Sequence, residues 1–315
     1  MEIFYCNYRF NLHFDEPIFF ALEPIFIFRS VLGKHLHDLS CIRKNSKCGE
    51  CSLAHHCAYA LIFETPLLTE SIELKGRKLG AHPFVMSLCK TDGEIFETDK
   101  AYNGSIQDFY LNFVLLESSI PQFAYIFTSI YNSGKEGIFR ERKKFKIESV
   151  QTAVDTYYPN GDSIRISPFL QKWETDLDDS MFSKSIDISF LTPFRMLDSG
   201  SLATPLNAYH IINSATRRLK ILCELYGHEY IPFSYDKRFL QEPYMRVDER
   251  SLSWRESNRY SAKQDTVMLL GGVVGKMKLS GMFAKSMLDI LEGANIFNIG
   301  KNTSFGFGKV KVDIY

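Results

Sequence analysis

The sequence carries no excess charge of either sign: 37 Lys and Arg stand against 37 Asp and Glu. Overall charge therefore cannot draw the chain to nucleic acid or to an anionic membrane, and any polyanion it binds must be met by a local patch. The chain also lacks an apolar run of the roughly 18 residues that a membrane helix needs. Its opening, Met-Glu-Ile-Phe-Tyr-Cys, has no basic segment leading into an apolar one, so no secretory leader is expected. Nor does it have the polar bias of a disordered chain, with 45% apolar and 23% charged residues. The expectation is a cytoplasmic globular protein with no membrane partner. Its 315 residues are enough for two domains with a core each. Aromatics are plentiful, at 26 Phe and 16 Tyr, which favours sheets and leaves ring faces for stacking on bases.

The second half repeats the order of the first. Residues 3–14 alternate as a strand does, and a helix is expected from Pro24 to Leu39, with Phe28, Val31, Leu32, Leu36 and Leu39 on one face. Extended segments follow at 82–89 and 104–116, then a helix at 121–132 and a glycine turn opening a basic strand, NSGKEGIFRERKKFKIESV. The second half offers a strand at 186–194 and a helix at 205–226 striped by Ala208, Ile211, Ile212, Ala215, Leu219, Leu222 and Tyr226. A helix at 282–292 and the glycine-rich NIGKNTSFGFGKVKVDIY close it. Strand, helix, strands, helix, glycine turn, strand is the split βαβ order. The fold class is therefore α+β, tandem ferredoxin-like (RRM-like) domains, at 1–158 and 186–315, with 159–185 as the junction.

Seven cysteines are present, and four of them, Cys41, Cys48, Cys51 and Cys57, are spaced C-x6-C-x2-C-x5-C in a loop (41–57) set after the first helix. Such clustering in a reducing compartment points to metal ligation, not disulfides. Soft thiolates on a short loop suit a 4Fe–4S cluster or, alternatively, a structural Zn. Cys6, Cys89 and Cys223 lie in apolar surroundings as core thiols. The stretch CIRKNSKCGECSLAHHCAY resembles the iron–sulfur loop of helix–hairpin–helix DNA glycosylases over about 20 residues. The hairpin-plus-aspartate signature of those enzymes is absent, so their function does not follow.

A wider resemblance rests on SFLTPFRM, LNAYHIINSATRRLKILCELYG, RYSAKQDTVMLLGGVVGKMKLSG and IGKNTSFGFGKVKV, with FRSVLGKHLHDLSC and CAYALIFETP in the first half. Together these resemble the CRISPR-associated Cas6 family of repeat-RNA endoribonucleases, of the RAMP superfamily. The resemblance implies paired ferredoxin-like domains, CRISPR repeat RNA or crRNA as partner, and contact with other CRISPR-associated proteins. It also implies metal-independent cleavage by the ribose 2′-hydroxyl, leaving 2′,3′-cyclic phosphate and 5′-hydroxyl ends. That chemistry needs a base, an acid and a cation for the phosphorane. Family catalytic histidines come from the first-domain helix. His37 is thus the candidate base or acid with Lys34 stabilising the phosphorane, while His35 continues the apolar stripe and His210 is the rival.

RNA contacts are expected from three places. Lys301, Asn302, Thr303 and Ser304 sit in the glycine loop, whose amides can approach phosphate. Arg140, Arg142 and Lys144 would share one face of the basic strand, which otherwise reads as a charge-guarded edge. On the 205–226 helix, His210, Ser214 and Arg217 share a polar face with Arg218 beside them, although a plain exposed face explains this too. Arg259, Tyr260 and Gln264 match an RxxSxxQ-like family stretch. Three other readings stand beside the enzyme: a non-catalytic RAMP guide-RNA-binding subunit, a redox- or iron-responsive nucleic-acid binder, and a DNA glycosylase.

Overall fold

The computed structural model describes residues 1–18, 24–44, 47–95, 106–161, 164–198, 200–256, 258–261 and 266–315. They divide into two units, 4–172 and 1–3 with 173–315. No helix among the described residues is long and apolar enough to cross a membrane.

The first unit is built on β1 (Glu2–Ile18), where Tyr8, Phe10, Leu12 and Phe14 are buried and Asn7 and Arg9 are exposed. That alternation is the pleat of a half-buried strand. Helix α1 (Pro24–Ser40) follows, then β2 (Phe84–Cys89), β3 (Ile106–Leu116), α2 (Phe123–Glu136), β4 (Phe145–Gln151) and the short β5 (Thr156–Tyr157). The sheet runs β2-β3-β1-β4-β5, and β6 (Leu170–Glu174) pairs with β1. Rings weld helices to sheet: Phe123 stacks on Tyr8 at 3.7 Å, and Phe28 meets Phe109 edge-on at 5.6 Å. Phe28, Leu32 and Leu36 of the expected stripe are buried. Leu39 is not: it lies on the last turn of α1 and is 42% exposed.

The second unit repeats the plan. After β7 (Met181–Phe194) a ribbon of β8 (Leu197–Asp198) and β9 (Ser201–Leu202) leads to α3 (Ala208–Tyr226) and β10 (Met245–Arg255). A second ribbon, β11 (Asn258–Ser261) with β12 (Thr266–Leu269), precedes β13 (Gly272–Ala284), α4 (Lys285–Phe297) and β14 (Val310–Ile314). Its sheet order, β10-β13-β7-β14, is the β2-β3-β1-β4 order of the first unit. Both units are ferredoxin-like. Residues 159–185, expected as a junction, contain β6 and the start of β7.

Candidate active site

Helix α1 carries the first candidates. His37 is partly exposed in its last turn, and its ring meets Tyr59 edge-on at 4.9 Å. Its Nδ1 lies 3.9 Å from Asp38, too far for a hydrogen bond. Lys34, one turn earlier, is exposed and 3.7 Å from Glu136, a loose pair that solvent screens. His35 is buried at 7% exposure and also faces Glu136, at 3.7 Å. Burial lowers its pKa, so it is held neutral in the core, as the stripe predicts.

The chain leaving the cysteine loop supplies what the sequence reading missed. Residues 60–64 form a π-helical turn, and Tyr59 and Phe63, four apart, stack in parallel at 5.7 Å. Tyr59 donates to Glu64 at 3.2 Å, and burial, reinforced by that carboxylate, raises its pKa. Phe63 carries the Arg29 guanidinium at 5.0 Å, which in turn lies 3.2 Å from His82. Arg29, Gly33 and His37 recur every four residues on α1, and Phe63 lies against Gly33. A partly exposed row of His37, Tyr59, Phe63, Arg29 and His82 results. The i, i+4 spacing of Tyr59 and Phe63 was a visible signal, but their pairing with α1 is long-range.

The four loop cysteines form no disulfide and are partly exposed. Cys41 donates its N–H to His37 O at 2.8 Å, Cys51 closes a tight turn onto Cys48 at 3.1 Å, and the Cys57 thiol lies 3.8 Å from Ser40 Oγ. By type and spacing the donors suit a soft metal. Among the described residues no three His, Cys, Asp or Glu side chains are arranged to hold a metal ion.

The second-unit candidates divide. His210 is buried and sits in a capping box at the start of α3. It donates its backbone N–H to Asn207 Oδ1 at 3.1 Å, while its Nδ1 accepts from Asn207 N–H at 3.2 Å. Its Nε2 is 3.6 Å from Asp198, and burial lowers its pKa. The expected polar face therefore does not form: His210 and Ser214 are buried, and Arg217 is exposed. Arg218 turns inward, donates to Phe297 O at 3.2 Å at the end of α4, and has its pKa lowered by burial to about 10.

In the glycine loop Lys301 is exposed and Asn302 and Ser304 are partly so, but Thr303 is buried. The amides of Ile299, Lys301, Phe305, Gly306 and Gly308 already donate to backbone carbonyls, so they do not point at a ligand. The sequence-based basic strand is instead a turn over Phe139–Arg142, closed by the bridge Ile138–Lys143, before β4 begins at Phe145. Arg140, Arg142 and Lys144 are all exposed, though not by strand alternation. Gln264 lies outside the described residues; Arg259 and Tyr260 are on β11, where the backbone alone is described.

Residues 3–166, more than half of the chain, match the family model AF_1859_N, an N-terminal domain, and residues 188–310 match that of the CRISPR-associated endoribonuclease Cas6. The chain belongs to the AF_1859_N family, and its residues 188–310 are similar to the Cas6 endoribonucleases. That second match supports a CRISPR-associated endoribonuclease. No curated protein matches it. Among solved structures, a Cas6 product complex is 13% identical with a TM-score of 0.53, covering 98% of this chain and 100% of that one. Thermus thermophilus Cas6 is 13% identical with a TM-score of 0.50, at 99% coverage of both chains. A partial Cas6-RT-Cas1–Cas2 complex is 12% identical with a TM-score of 0.53, covering 99% of this chain and 46% of that one. At such identities these likenesses speak for the fold.

Proposed function

We propose that the chain cuts CRISPR precursor RNA within the repeat through His37, by metal-independent transesterification. The 2′-hydroxyl oxygen attacks the adjacent phosphorus and the bond to the 5′-oxygen breaks, leaving a 2′,3′-cyclic phosphate and a 5′-hydroxyl. One proton leaves the 2′-hydroxyl and another reaches the departing oxygen. His37 serves one of these transfers, and Lys34 meets the charge that builds on the phosphorane. The observation that carries this reading is the contrast among the weighed histidines. His35 and His210 are buried in the folded units, whereas His37 presents a ring to solvent beside a lysine and a tyrosine.

Single-turnover cleavage of repeat RNA in EDTA tests it. His37→Ala is expected to slow cleavage by about 10²- to 10⁴-fold, with His210→Ala near wild type. An unchanged rate in His37→Ala removes the assignment. Tight RNA binding without cleavage by the unsubstituted protein would favour the non-catalytic RAMP subunit instead.

The same reading takes Cys41, Cys48, Cys51 and Cys57 as ligands of a structural 4Fe–4S cluster, with Zn as the alternative. Its support is four soft donors on one loop of a small domain. A metal there would tie the end of α1, and so His37, to the turn that carries Tyr59. Elemental analysis of protein purified without oxygen is expected to give iron and sulfide, and zinc in their place would decide for the alternative. A cytoplasmic location suits such thiolates. Association with other CRISPR-associated proteins is part of the proposal, and the likeness to a Cas6-RT-Cas1–Cas2 complex motivates it.

A further inference from the structure

We infer that Tyr59 is a positioning residue for the cleavage reaction, fixing the His37 ring by edge-to-face packing and not through its hydroxyl. This rests on the reading of His37 as a group that moves a proton. Among the described residues no hydrogen bond holds the His37 ring, whose Nδ1 is 3.9 Å from Asp38. The torsion that turns an imidazole has a broad preference, so a histidine in the last turn of a helix keeps its aim only where a neighbour packs on it. The Tyr59 ring is that neighbour, with centroids 4.9 Å apart and planes at 85°.

Tyr59 suits the task because it is itself held on three sides. Its backbone N–H donates to Ser40 Oγ at 3.2 Å, and that hydroxyl donates to Leu36 O at 2.6 Å. Tyr59 is thereby tied to the turn of α1 that carries His37. Its own hydroxyl donates to Glu64 at 3.2 Å. Its ring face lies on Phe63, 5.7 Å away and within 6° of parallel. The π-helical turn makes this stack: Thr65 N–H closes an i→i+5 bond on Ala60 O at 2.6 Å, and so wide a turn brings residues four apart close to alignment.

Phe63 carries the hold through to the core. A Cβ on Gly33 would lie 3.2 Å from Phe63 Cε1, so the glycine lets that ring close on α1 one turn before His37. Phe63 also meets Phe84 at 5.5 Å, and Phe84 is buried in β2. A line of rings thus runs from the sheet through Phe84, Phe63 and Tyr59 to His37. The one proton of the Tyr59 hydroxyl is already donated to Glu64, which leaves the ring as the part that acts on His37. Fixing that ring serves the rate and not RNA affinity, since a small misplacement of a proton-transfer group slows the chemical step.

The test compares single-turnover cleavage at saturating repeat RNA with the Kd for the same RNA. Tyr59→Leu is expected to slow cleavage by about 10- to 100-fold with Kd unchanged, and Tyr59→Phe to restore most of the rate. Phe63→Leu leaves Tyr59 and the cysteine loop in place and should give a smaller fall in the same direction, so it reads the line of rings even where Tyr59→Leu does not fold. Because Tyr59 acts through His37, the double variant of His37→Ala with Tyr59→Leu should cleave no more slowly than His37→Ala alone. Wild-type rates in both leucine variants overturn the proposal. So does a Tyr59→Phe as slow as Tyr59→Leu, which would put the hydroxyl in the chemistry, or a double variant slower than His37→Ala, which would make Tyr59 act apart from it. A wild-type rate in His37→Ala would end the reading of His37 itself, whereas a slow His37→Ala beside unchanged leucine variants ends only the positioning.

Discussion

The two units share a strand order, yet their last connections, from the second helix into the last strand, are made differently. After α2 the chain turns within residues 137–144. Gly137 has φ +82°, and a Cβ there would lie 2.2 Å from Arg142 O. Phe139 and Arg142 also take positive φ, and Arg140, Arg142 and Lys144 are left exposed. After α4 the connection is longer and clamped by side chains from the body of its unit. Thr192 donates to Gly306 O at 2.8 Å and accepts from Lys309 N–H at 2.9 Å, and Asn298 donates to Phe307 O at 3.0 Å. One connection displays charge on a small turn, and the other holds a fixed backbone shape with few side chains displayed. The first should matter to RNA through salt-sensitive attraction, the second through form.

Breaking the clamped loop is the severest challenge to that contrast. A Cβ at Gly308 would lie 1.7 Å from Ile299 O, and its φ is +67°. Gly308→Ala is expected to cost about 3 kcal/mol or more, read from urea midpoints. Thr192→Val removes a buried hydroxyl that serves two backbone groups and should cost about 1–3 kcal/mol. If Thr192→Val leaves the urea midpoint unchanged, the side-chain clamp holds nothing and the contrast fails.

The exposed turn should answer to charge and not to stability. Arg142→Ala is expected to leave the urea midpoint within about 0.5 kcal/mol of wild type. If Arg142 contacts phosphate, the variant should also lower the slope of log affinity against log salt by about 1. An unaltered slope would make these arginines ordinary solvated residues guarding β4.

Much of this architecture could be read before any coordinates. Alternation on β1 and the stripe on α3 depend on neighbours in sequence, and so does the order of elements in both halves. What could not be read depends on partners far along the chain or on backbone conformations that residue type does not announce. Positive φ at Phe139 and Arg142 turned an expected strand into a turn. Arg218 looked like part of a basic face until a carbonyl at residue 297 claimed it. His210 looked like a polar-face residue, but Asn207 makes it the third residue of a capped helix. The row joining Arg29, Phe63 and His82 spans more than 50 residues of sequence and left no local periodicity to find.

The smallest expected effect separates buried histidines from exposed ones by pH. Burial lowers the pKa of both His35 and His210 below the ordinary value of 6.5. Between the folded and unfolded values the unfolded chain binds more protons, so acid favours unfolding. Their contribution is therefore complete above about pH 6.5 and is lost as pH falls below it, towards the folded-state values. Glutamine at the third helical position keeps a capping box without titrating. His210→Gln should thus make the fall in urea midpoint between about pH 7 and 5 shallower, with little change at pH 7. An identical slope in the variant would mean that His210 takes up its proton as readily when folded, and that its capping role does not depend on a neutral ring.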